Sequence, residues 1–70
     1  MNTTKLMRQT ANALRVYRLA SNNGTDMQIV LYLSEVFDGL LEKMVKQQKI
    51  EFHSEAIKIL NEMISNYDYE

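Results

Sequence analysis

His53 is the only histidine of the 70-residue chain. Acid–base or metal chemistry there would need an orienting group or a second ligand. Glu51 and Glu55 flank it, but acids around the start of a helix are ordinary composition. No H-x-x-x-H or H-E-x-x-H spacing occurs and there is no cysteine, so a metal or catalytic centre rests on His53 alone. Glu35, Asp38 and Glu42 are spaced three and four apart, which puts three carboxylates on one helical face. Inward-pointing carboxylates of that kind hold metals in helix bundles. Here they fall opposite the apolar residues of the same stretch, so they read as a solvated ridge. Two glycines cannot build a phosphate cradle, and Ser21, Ser34, Ser54 and Ser65 have no base suggested by spacing. No catalytic residue, cofactor or metal is expected, and an enzyme is not.

The remaining chemistry is electrostatic. Lys5, Arg8, Arg15 and Arg18 fall within about 140° of a helical wheel with Asn12 among them. Residues 1–20 contain no acid and carry +4, whereas residues 21–70 carry −5. Such a face can meet phosphate or an acidic protein surface, or can simply be solvated. A helix-turn-helix reader places a polar, basic helix after its turn. The segment after residue 24 is apolar and acidic, so nucleic acid is the alternative rather than the leading expectation.

The element that must position these groups is the stretch from Asp26 to Val45. At 100° per residue, Ile29, Val36, Leu40, Leu33, Met44, Phe37, Val30 and Leu41 form one continuous apolar arc, with Gln28, Glu35, Asp38, Glu42 and Lys46 opposite. Val30, Leu33, Phe37, Leu40 and Met44 step 3-4-3-4 and predict a core or dimer seam. The arc spans about 140°, wider than one neighbouring helix needs, which predicts two neighbours. Thr25 and Gln28 form a T-x-x-Q capping box with Asp26 beside them. Glu42 and Lys46 are placed for an i,i+4 pair. Leu31 and Tyr32 sit off the arc, either as ordinary exposed apolar residues or as contacts to another protein. Gly39 lies mid-helix, as a tolerated defect or a close helix approach.

Before this stretch, Asn2, Thr3 or Thr4 caps a first helix whose face runs Leu6, Thr10, Ala13, Tyr17 and Ala20, with Met7 and Leu14 beside it. Asn22-Asn23-Gly24 supplies left-handed residues to end it, and the short connection predicts an antiparallel pair. After Val45 the polar run Lys46-Gln47-Gln48-Lys49 weakens the pattern. A third segment follows with Phe52, Ala56, Ile57, Leu60, Met63, Ile64 and Tyr67, capped by Ser54. No glycine or proline separates it from the second, so one long helix is possible. A break near residues 48–53 is favoured, because helices much beyond 25 residues need a coiled-coil reason. Residues 67–70 are expected to fray.

These elements read as one all-α domain, residues 1–70, with helices at about 4–21, 26–47 and 53–66: a small helical hairpin or three-helix unit. A chain this short buries only about 60% of its unfolded surface, and with 46% hydrophobic residues it has more apolar side chains than three helices easily cover. No disulfide or thiolate metal site can help, so completion by dimerisation is expected. Five methionines suit core filling or an adaptable contact surface. No stretch is long and apolar enough for a membrane span, and Arg8, Arg15 and Arg18 interrupt any leader-like core. The sequons at Asn2 and Asn23 are then chance matches, and the cytoplasm is the expected location. No motif points to one family. The expected function is that of a non-enzymatic helical regulator or adaptor that binds another protein, with Leu31, Tyr32 and the basic face of helix one as its contacts.

Overall fold

The computed structural model describes residues 3–66, which are 84% helical and contain no strand. Three helices run in order: α1, Lys5–Asn22; α2, Met27–Gln48; and α3, His53–Asn66. Asn2, Tyr67 and the fraying expected at 67–70 lie outside the described residues.

α1 starts where a hydroxyl can cap it. Thr4 has extended backbone, and its Oγ1 accepts from the Met7 N–H at 3.1 Å. The same hydroxyl donates to Gln47 Oε1 at 2.7 Å, and Gln48 Nε2 donates to that oxygen at 3.0 Å. The polar run that interrupts the sequence pattern therefore ties the end of α2 to the start of α1, as an antiparallel pair requires. Gly24 (φ 70°) ends α1, with the Thr25 N–H donating to the Ala20 carbonyl at 3.1 Å.

Asp26, not Thr25, caps α2. Its carboxylate accepts from the Gln28 N–H at 2.8 Å and its carbonyl receives the Ile29 and Val30 N–H groups. A carboxylate one residue nearer the helix is both acceptor and counter-charge to the dipole, so it displaces the expected capping box. α2 stops at Lys49, which is left-handed (φ 55°, ψ 40°). Its N–H donates to the Lys46 carbonyl, and the Ile50 N–H to the Val45 carbonyl at 2.9 Å. This double bond pattern is the Schellman motif, built here without glycine. A left-handed backbone costs a side-chain-bearing residue about 1–2 kcal/mol, part of which glycine returns through its freer unfolded chain. Lys49→Gly is therefore expected to raise the unfolding free energy by about 0.5–1 kcal/mol in a urea titration, and a loss of stability would contradict the cap. α3 begins one residue before the expected Ser54 cap. The Phe52 carbonyl takes the Glu55 and Ala56 N–H groups, which places Ser54 inside the helix.

The core draws on all three helices: Met7, Ala11 and Leu14 of α1, Phe37, Leu41, Met44 and Val45 of α2, and Ala56, Leu60 and Met63 of α3. Three of these ten are methionines, whose unbranched chains fill irregular gaps. Thr10 is fully buried, and its hydroxyl donates to the Leu6 carbonyl at 2.7 Å, which removes the penalty of burying it. Of the expected α1 face, Thr10 is buried while Leu6, Ala13 and Tyr17 pack partly covered against the core. Phe52, expected on the apolar face, is exposed, because it sits in the turn ahead of α3.

Candidate functional site

The core occupies one end of the hairpin. No residue from Arg15 to Val36 is buried, so among the described residues the tip of the α1–α2 hairpin is at most half-covered. The tip is nonetheless apolar: Val16, Leu19, Met27, Ile29, Leu31, Tyr32 and Val36 are all exposed. In the expected seam, Phe37 and Met44 are buried, whereas Val30, Leu33 and Leu40 are half-buried. Leu41 and Val45 complete the inner face, so the burial is rotated away from Ile29 and Val36. The apolar arc of α2 was wide enough for two neighbours, and one of its two edges is bare.

Wheel geometry orients the exposed residues. Glu42 marks the side of α2 nearest α3, since its Oε1 lies 2.9 Å from His53 Nε2 at the start of α3. Val36, Ile29 and Leu40 lie within about 40° of one another on the opposite side. Tyr32 and Leu31 diverge by about 100°. Tyr32 faces outward beside the bare edge, and Leu31 lies on the α3 side, beyond the core. They do not form one patch. Among the described residues nothing lies within 4 Å of the position a Cβ would take at Gly39, so neither α1 nor α3 approaches closely there.

The four basic residues are not equivalent. Lys5 and Arg18 are exposed, and Arg8 and Arg15 are half-buried. Arg8 Nη1 donates to the Thr3 carbonyl at 3.0 Å, which turns it back onto the start of its own helix. Leu19 falls among the basic positions and Val16 at their edge, so this face is mixed apolar and basic rather than a continuous cationic stripe. Glu35, Asp38 and Glu42 are exposed, as a solvated ridge requires. Glu42 meets His53 instead of Lys46, an exposed inter-helix pair of a kind that contributes no more than about 1 kcal/mol. Among the described residues no group of three or more His, Cys, Asp or Glu is placed to hold a metal ion. Nor is any described helix long and apolar enough to cross a membrane.

Fold and surface together define a small all-α three-helix unit whose hairpin carries an uncovered apolar tip. No protein-family model matches the chain, and no curated protein or solved structure matches it.

Proposed function

We propose that this chain is a non-enzymatic helical regulator or adaptor that works by binding another protein, and that it does so as a homodimer. The observation that carries the reading is the apolar hairpin tip, with no buried residue between Arg15 and Val36. Exposed apolar surface concentrated on one part of a small protein is a mark of an interaction site. Leu31 and Tyr32 are the contacts proposed for the partner, together with the mixed face of α1 that includes Lys5, Arg8, Arg15 and Arg18. A cytoplasmic setting belongs to the same reading, since a chain without cysteine suits a reducing compartment. A basic face for nucleic acid is the second reading. Lys5 and Arg18 favour it, and the Arg8 contact with Thr3 weighs against it.

Affinity capture with the tagged chain tests the proposal, using Leu31→Arg and Tyr32→Arg as paired controls. Both residues are exposed, so neither change should disturb the helices. A protein retained by the wild type and lost by one or both variants is the expected result. Identical capture profiles would sink the assignment. Retention of nucleic acid that weakens steeply with salt and with Lys5→Ala or Arg18→Ala would move the function to the second reading.

A further inference from the structure

We infer that the bare edge of α2 is the docking site for a second copy of this chain, packed antiparallel, helix α2 on helix α2. The inference rests on the binding reading above and says which flank the copy takes.

The first argument is spacing. Ile29, Leu33, Val36 and Leu40 step 4-3-4 along the side of α2 away from α3, the spacing of a helix-packing seam. That series reads the same in both directions. An antiparallel copy therefore offers apolar side chains at the same intervals, with Ile29 against Leu40 and Leu33 against Val36 about an axis between Ser34 and Glu35. A two-fold interface demands this self-complementarity, because one patch must serve as both partners. An unrelated partner would not require it.

The second argument is area. Ile29 is 51% exposed, Val36 37% and Tyr32 64%. With the half-buried Leu33 and Leu40 this is on the order of 400 Å² of apolar surface, the size of the largest patch on a typical soluble monomer, which is often a functional one. An interface core is roughly 65% apolar, which implies around 600 Å² per partner and about 1,200 Å² in total. That reaches the lower limit of a stable specific interface.

The third argument is charge. Ile29, Leu33, Val36 and Leu40 enclose no charged position on their own side of α2. Lys43 continues the series at its C-terminal end. In the antiparallel register Lys43 comes opposite Asp26 of the second copy, at the start of its α2, so the ends of the seam attract rather than repel. Leu31 and the α3 side of the tip remain open to a different protein.

Cysteine cross-linking reads this register directly, since the chain has no cysteine of its own. Val36→Cys, near the axis, should join to itself through a short bis-maleimide. Ile29→Cys should not, because two copies of position 29 stand about 17 Å apart along antiparallel helices. Ile29→Cys mixed with Leu40→Cys should join. Light scattering across a dilution series should give twice the chain mass at micromolar concentration. Val36→Asp should weaken the association on the order of 100-fold with helical circular dichroism unchanged, because it buries an unpaired charge. A monomer at every concentration would overturn the inference, as would a dimer in which Val36→Cys does not cross-link or Ile29→Cys does. If Val36→Asp instead releases a different captured protein from a monomeric chain, the flank belongs to that protein. In all these cases capture with Leu31→Arg, which lies off this flank, still decides the binding reading independently.

Discussion

Leu60→Ala is expected to cost about 3 kcal/mol, a large share of the stability of a chain this short. Leu60 is completely buried and is among the largest side chains that are. It lies in α3, in one core cluster with residues of α1 and α2. Truncating a buried leucine removes its transfer free energy and leaves a cavity that the surroundings fill only partly, which costs about 2–5 kcal/mol. A chain of this length has a total stability of roughly 4–10 kcal/mol, so the loss takes a large share. The check is a urea titration followed by circular dichroism, at one protein concentration because any self-association adds to apparent stability. Leu19→Ala is the matched control: the same chemistry at an exposed site should stay within about 0.5 kcal/mol. If the two midpoints moved equally, α3 would not be closing the core.

Ala11→Leu is expected to destabilise by about 1–3 kcal/mol, although leucine is nearly as good a helix former as alanine. The reason is packing. Ala11 is fully buried in the middle of α1, within the cluster that includes Phe37, Met44 and Ala56. Interiors are close-packed, so three added carbons and their hydrogens must displace a neighbouring helix or force strained rotamers. The readout is the thermal midpoint, which for about 2 kcal/mol in a chain of this size falls by roughly 10 °C. Asn12→Leu, at the exposed position one residue on, should leave the midpoint nearly unchanged. A harmless Ala11→Leu would mean that α1 stands further from its neighbours than its burial implies.

Much of this architecture was legible in the residues. The 3.6-residue period located all three helices, and Gly24 after two asparagines marked the first break. Thr4 as a cap followed from its hydroxyl and its place before an apolar periodic run. The acidic ridge of Glu35, Asp38 and Glu42 faced solvent because it lay opposite the apolar arc. The second break was harder to read. Lys49 carries no turn signature, and it adopts a left-handed backbone because the Schellman hydrogen bonds and the docking of α3 hold it there.

Within one helix the sequence by itself determined relative directions: which side chains share a face is fixed by 100° per residue, so the arc of α2 and its excess width were set before any packing. Which edge of that arc became interior was decided only by the tertiary structure. α3 is 14 residues long against 22 for α2, and it settles on the side of Glu42 and Val45. That leaves the hairpin tip uncovered and exposes Ile29 and Val36, while Phe37 and Met44 are buried. The Thr4–Gln47 and His53–Glu42 contacts belong to the same level, since each joins residues of different helices through the packing. A helical wheel has no information about the direction from which a neighbour arrives. That direction depends on the length of α3, the turn at Lys49 and the small side chains of Ala11 and Ala56 acting together.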